Sequence, residues 1–218
     1  MTRPLLILRP QPGADATAKR AAAMGLEAIV APLFRIIPRD WILPDASFDA
    51  LLVTSANAAR AIDSRVDRAL PVYAVGAPTR AALLDAGFTD VAAGESDVTE
   101  IVKQAAAEGM KSLLHLAGED RTAFEPAELR IETRVIYAAE PCDPPPAFAE
   151  ALERGAVALL HSARAARRFR ALAETGHRIA AISPAVLAAA GTGWTATAVA
   201  ARPTDEALLA VAAQLCQG

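Results

Sequence analysis

The chain carries the same long segment twice, and no other feature limits its possible folds as much. Phe48–Arg60 (FDALLVTSANAAR) returns as Gly155–Arg167 (GAVALLHSARAAR), which puts Ser55 and Ser162 at an offset of 107 (162 − 55). Val72–Pro78 returns as Ile179–Ala185 at the same offset. Leu5–Leu8 and Asp97 return as Leu113–Leu116 and Asp205 at an offset of 108. Solenoid units run to roughly 20–50 residues, so a repeat this long is a whole small domain, duplicated. Two similar domains in 218 residues would leave a cleft between them, and clefts are where ligands bind.

Composition narrows the class. With 53% hydrophobic and 22% charged residues the chain can fill packed cores. A net charge of −3, with no run of Lys or Arg, argues against a nucleic-acid or membrane surface. Cys142 and Cys216 lack metal or redox spacing and read as reduced thiols of a cytoplasmic protein. The first strand-like run begins at Leu5, without the apolar stretch of a signal peptide. The apolar segment Ile179–Ala201 is interrupted by Ser183-Pro184 and Gly191-Thr192-Gly193. It therefore reads as strand, turn and helix rather than a membrane span.

Short apolar runs followed by turn residues and Ala-rich amphipathic stretches predict βα units in a parallel sheet covered on both faces. The expected strands are Leu5–Leu8, Ala28–Ala31, Ala50–Val53, Val72–Val75 and Asp90–Ala92, then Ser112–Leu116, Glu132–Tyr137, Ala156–Leu160, Ile179–Ile182 and Thr197–Ala200. The expected helices are Ala14–Met24, Ala56–Asp63, Pro78–Ala86, Val98–Glu108, Ala123–Leu129, Pro146–Glu153, Ala163–Glu174, Pro184–Ala190 and Asp205–Cys216. The fold class is thus α/β, with two similar doubly wound parallel-sheet domains. Phe34–Pro38 and Arg134–Pro141 are β-prone, end in proline, and read as connecting ribbons outside either sheet.

In such sheets ligands bind at the carboxyl ends of the strands. The turns expected there share a grammar. Ser55, Ser162 and Ser183 stand at helix N-cap positions, and Pro78 and Pro184 fit first helical turns. Gly76 and Gly118 permit tight backbone and close approach. Helix N-termini facing a cleft would bind a polyanion without a dense basic cluster. Taken singly, each serine reads first as an ordinary cap. No GxGxxG or P-loop occurs, and His115, His161 and His177 are scattered. His115 and His161 read as strand residues, in the core or at the cleft edge.

Several motifs, in order along the chain, resemble the uroporphyrinogen-III synthase family. They are Arg9-Pro10 after the first strand, Asp49–Ala58 (DALLVTSANA), Val72–Thr79 (VYAVGAPT), Val135–Tyr137 and Pro203-Thr204-Asp205. The resemblance implies a discontinuous first domain, residues 1–34 with 142–218, a second domain at 40–134, and linkers 35–39 and 135–141 forming a two-stranded β-ribbon hinge. The repeat alone suggests continuous halves instead, 1–102 and 109–218.

The implied reaction is cyclisation of the linear tetrapyrrole hydroxymethylbilane to uroporphyrinogen III, with inversion of ring D and loss of water. No metal or organic cofactor is implied. The substrate carries eight carboxylates, for which Arg9, Arg121 and Arg164, together with the turns at Thr54, Ser55, Ala56, Gly76, Gly118, Ser162 and Ser183, are candidate partners. Surface roles for the three arginines fit as well. Tyr137 matches a family tyrosine implicated in proton donation to the departing hydroxyl, or else packs a hinge. Thr79 matches a cleft-lining threonine, although its repeat partner is Val186. A monomer is expected, supplied with substrate by hydroxymethylbilane synthase. Two rivals stand beside this reading: a non-catalytic two-lobed tetrapyrrole- or anion-binding module, and a nucleotide-sugar transferase.

Overall fold

A computed structural model describes residues 2–94, 97–121 and 123–217. In chain order the first elements are β1 (Leu5–Ile7), α1 (Gly13–Ala23), β2 (Ala28–Val30), β3 (Phe34–Pro38), β4 (Ala50–Val53) and α2 (Ala56–Ala61). Next come β5 (Val72–Val75), α3 (Ala77–Asp85), β6 (Val91–Gly94), α4 (Val98–Ala107), β7 (Ser112–Gly118) and β8 (Arg130–Pro141). The chain closes with α5 (Pro146–Glu153), β9 (Val157–Leu160), α6 (Ala163–Leu172), β10 (Arg178–Ala181), α7 (Pro184–Ala190), β11 (Ala196–Val199) and α8 (Asp205–Cys216). Two compact units result: Met1–Arg35 with Glu140–Gly218, and Ile36–Ala139.

The first unit holds a five-stranded sheet in the order β11-β10-β9-β1-β2, with every neighbouring pair parallel. Read from β2 it is the 2-1-3-4-5 arrangement of a doubly wound fold. In the second unit the order is β3-β8-β7-β4-β5-β6, and β8 through β6 are parallel throughout. Strand for strand, β8-β7-β4-β5-β6 matches β2-β1-β9-β10-β11. The sequence repeat explains the match, because β4, β5 and β6 are the repeat partners of β9, β10 and β11. Each sequence half thus places its first two strands in one unit and its next three in the other.

Burial follows the alternation of the strands. Along β4, Leu51 and Val53 pack with Ala58, Leu83 and Phe88, while Ala50 and Leu52 face Ile101, Val102 and Ala105. In the first unit Leu5, Ile7, Val157 and Leu159 meet Ala14, Ala21, Leu208 and Ala212. Tyr73, from the Val72–Thr79 motif, is a core residue whose hydroxyl donates to Glu108 Oε2 at 2.6 Å.

Two expectations fail. Phe34–Pro38 and Arg134–Pro141 do not lie outside the sheets: β8 pairs with β7 from Arg130 to Tyr137, and β3 lies along its outer edge. Pro38 and Pro141 sit at strand ends, where a missing N–H removes nothing from the interior of the ladder. The helix expected at Ala123–Leu129 is absent. Pro126 interrupts it, and Ala127 and Glu128 follow with φ of 46° and 68°, left-handed values that close a turn on which Leu129 N–H donates to the Pro126 carbonyl.

Candidate active site

A 2-1-3-4-5 sheet reverses its strand order at one place, and ligands favour the carboxyl ends of the two strands there. In the first unit these strands are β1 and β9, which lead into Leu8-Arg9 and His161-Ser162. In the second they are β7 and β4, ending at Gly118 and at Thr54-Ser55. The two edges are repeat partners, yet they have diverged chemically.

The edge of the second unit is rich in hydroxyls. Ser55 caps α2 from an extended conformation, its Oγ accepting the Ala58 N–H at 3.0 Å. The same oxygen lies 2.8 Å from the Tyr137 hydroxyl. Tyr137, on β8, is 8% exposed and lies across Gly118. A Cβ at position 118 would stand 2.6 Å from Tyr137 Cζ and 2.7 Å from its oxygen. Glycine is therefore needed there for space.

Behind this pair, Thr54 Oγ1 lies 3.3 Å from His115 Nε2, and His115 Nδ1 lies 3.3 Å from Thr133 Oγ1. Burial, reinforced by the charge of Arg121, pushes the His115 pKa down to about 4. The ring is thus neutral at pH 7, one nitrogen donating and the other accepting. Phe124 closes its flank edge-on at 5.4 Å.

The other predicted residues of this unit are more dispersed. Ala56 opens α2. Gly76 caps α3 with φ 82°, a value that favours glycine, and its N–H donates to the Gly94 carbonyl. Thr79 is buried in the first turn of α3, and its N–H donates to the Gly76 carbonyl. Arg121 is exposed and donates to the Glu119 carbonyl at 3.3 Å.

The edge of the first unit is charged. Asp205, in the first turn of α8, receives the Thr17 hydroxyl at 3.0 Å, Arg20 at 2.9 Å and His161 Nε2 at 2.8 Å. Arg9 Nη1 lies 3.6 Å from the same carboxylate and 3.4 Å from Thr17 Oγ1. Burial alone would raise the pKa of Asp205, but the hydrogen bonds from His161 and Thr17 and the charges around it outweigh burial and lower it. Burial lowers the pKa of His161, Arg9 adds to that effect, and Asp205 opposes it. A neutral His161 uses its Nε2–H toward Asp205, and its buried Nδ1 has no hydrogen-bond partner among the described residues.

Ser162 and Ser183 cap α6 and α7, accepting from Ala165 and Val186. Arg164 stacks its guanidinium over Phe34 at 4.8 Å. The sequence reading missed Thr17, Asp205 as a charged hub, and the His115 links to Thr54 and Thr133. The Asp97–Asp205 repeat match and the Pro203-Thr204-Asp205 motif point to the aspartate, but not to its partners. Among the described residues no group of three or more His, Cys, Asp or Glu is placed to hold a metal ion.

Residues 15–210 match the family model described as uroporphyrinogen-III synthase HemD. The chain belongs to the uroporphyrinogen-III synthase family. Its enzymes are cyclising lyases of porphyrin biosynthesis, and the non-catalytic alternative is not favoured. The fold is that of the uroporphyrinogen-III synthetase of Helicobacter pylori 26695, with a TM-score of 0.67 at 19% identity, covering 98% of this chain and 99% of that one. A mutant uroporphyrinogen III synthase of the extremely thermophilic bacterium Thermus thermophilus aligns with a TM-score of 0.47 at 15% identity over 98% of this chain and 100% of the other. No curated protein matches the chain. No described helix is long and apolar enough to cross a membrane.

Proposed function

We propose that the chain closes hydroxymethylbilane to uroporphyrinogen III with Tyr137 as the proton donor to the departing hydroxyl. The observation carrying this reading is the Ser55–Tyr137 contact of 2.8 Å at the carboxyl edge of β4. Either oxygen can donate in this contact, and we take Ser55, whose Oγ accepts from Ala58, to donate its O–H to the tyrosine oxygen. The phenolic proton then points elsewhere, to the substrate. Protonated, the hydroxyl leaves as water and the pyrrole nitrogen's electron pair forms the azafulvene. The substituted carbon of ring D attacks it, giving the spiro intermediate from which the inverted ring emerges. Left alone, the linear chain closes uninverted to isomer I. The enzyme's main task is therefore restraint of the folded tetrapyrrole, with proton transfer as an aid.

As candidate partners for the substrate's carboxylates we take Arg9, Arg121 and Arg164, with backbone amides at the turns of Thr54-Ser55-Ala56, Gly76, Gly118, Ser162 and Ser183. Thr79 shapes the α3 turn beside them. The same reading takes the chain as a cytoplasmic monomer, supplied by hydroxymethylbilane synthase. Sedimentation of the chain alone and with that synthase tests both the monomer and the handover.

The deciding experiment generates hydroxymethylbilane in situ with its synthase, adds this protein, oxidises the products and separates the uroporphyrin isomers. Conversion from isomer I to isomer III is expected. Persistence of isomer I with folded protein present would overturn the reading.

A further inference from the structure

We propose that Asp205 is the positioning residue of the first unit's edge, holding the Arg9 guanidinium where it meets a substrate carboxylate. The inference rests on the reading of Arg9 as a carboxylate partner. Two independent observations carry it.

The first is the hub itself. Asp205 has a side chain only 11% exposed and gathers Thr17, Arg20, His161 and Arg9 around its two oxygens. Thr17 is fully buried, its hydroxyl also reaching the Gly13 carbonyl at 3.2 Å. This hydroxyl ties the carboxylate to the first turn of α1 and accepts from Arg9. The guanidinium is thus gripped at Nη1, by a carboxylate and a hydroxyl that are themselves immobilised.

The second observation is Gly13. Its φ lies outside the left-handed range, so any residue could adopt its backbone. A Cβ there would stand 2.8 Å from Arg9 Nε and 3.1 Å from Nη2. Glycine at the first position of α1 leaves the space across which the rest of the guanidinium lies. A helix N-terminus repels a cation, so Arg9 would not settle there unaided. Asp205 supplies the opposing charge, and Gly13 supplies the room.

Because the colliding atoms belong to the far end of a flexible side chain, Gly13→Ala displaces Arg9 at little cost in stability. Asp205→Asn removes the charge that holds it. Kinetics with freshly prepared hydroxymethylbilane, alongside thermal melts, test the idea through Arg9→Ala, Asp205→Asn, Gly13→Ala and both double variants with Arg9→Ala. The expected result is a KM roughly tenfold higher for each single variant, about the worth of one charge-assisted contact, with a smaller change in kcat. Asp205→Glu should recover part of the loss. Combined with Arg9→Ala, neither Asp205→Asn nor Gly13→Ala should raise KM further, because both act through the arginine.

If Arg9→Ala leaves KM unchanged, the assignment of Arg9 to substrate fails. Should Arg9→Ala raise KM while Gly13→Ala and Asp205→Asn lower only Tm, the positioning role is overturned and the hub is structural. Gly13→Ala keeps the test decisive even where Asp205→Asn fails to fold.

Discussion

Gly118→Ala should be destabilising in the native background and harmless or stabilising once Tyr137 is removed. The added methyl would stand 2.6 Å from Tyr137 Cζ and 2.7 Å from its hydroxyl oxygen. Carbon atoms do not approach so closely, so the ring must move. Tyr137 is only 8% exposed, and its hydroxyl gives up the Ser55 contact when displaced. Overpacking of this kind costs about 1–3 kcal/mol, a fall in Tm of roughly 3–9 °C for a chain of this size. Turnover to isomer III should fall with it, because the proton donor is displaced. In a Tyr137→Ala background the methyl meets no ring. Gly118 does not need a positive φ, so alanine there should then gain up to about 1 kcal/mol by restricting the unfolded chain. Thermal melts of the four proteins, with isomer analysis of each, read both effects. An equal penalty in both backgrounds would refute the claim that this glycine exists to admit the tyrosine.

Tyr137→Phe should lower isomer III formation by up to about a hundredfold, the small end of general-acid effects, without abolishing it, since the substrate ionises on its own; complete loss in folded protein would contradict catalysis by restraint. Ser55→Ala should cost about 1 kcal/mol as a lost cap and slow turnover, whereas Ser55→Thr should retain most of both in melts and isomer assays. His115 titrates near 4 in the fold and near 6.5 unfolded, so the unfolded chain binds more protons between those values. Stability is complete above about pH 6.5 and falls toward pH 4, by about 3 kcal/mol from this group. His115→Gln should flatten that part of the urea-unfolding profile, and an unchanged acid slope would show that the ring is not neutral in the fold.

The α/β class was legible because strands buried on both faces, such as Leu5–Leu8 and Leu51–Val53, read as uninterrupted apolar runs between turn residues. The three serine caps were legible too, since capping is local chemistry within three residues. What escaped was settled at a distance. Thr17 and Asp205 are separated by 188 positions, and no local pattern announces that a helix-interior threonine will meet a distant N-terminal aspartate. Gly118 reads in the sequence as a glycine permitting close approach of a ligand, whereas what approaches it is a tyrosine on the neighbouring strand. Ala123–Leu129 misled through its alanine and glutamate, whose helix propensity yields to Pro126 and to the burial of Leu129. Phe34–Pro38 and Arg134–Pro141 read as ribbons outside either sheet because nothing local shows that each will find a partner strand.

The exchange of strands between sequence halves sets an order of events during synthesis. The second unit is contiguous and can close once Ala139 has emerged. The apolar strand Leu5–Ile7 cannot, because one of its two partners is β9. Between the end of β2 at Val30 and the start of β9 at Val157 the ribosome adds 127 residues (157 − 30), which takes roughly 6–25 s at ordinary elongation rates. For that interval the amino-terminal segment waits with an unpaired hydrophobic edge while the domain inserted after it folds. Substitutions that soften Leu5, Leu6 or Ile7 act in the nascent chain as well as in the finished protein. The carboxyl-terminal helix, whose Cys216 carbonyl accepts the Arg3 N–H, is the last piece to fasten the first.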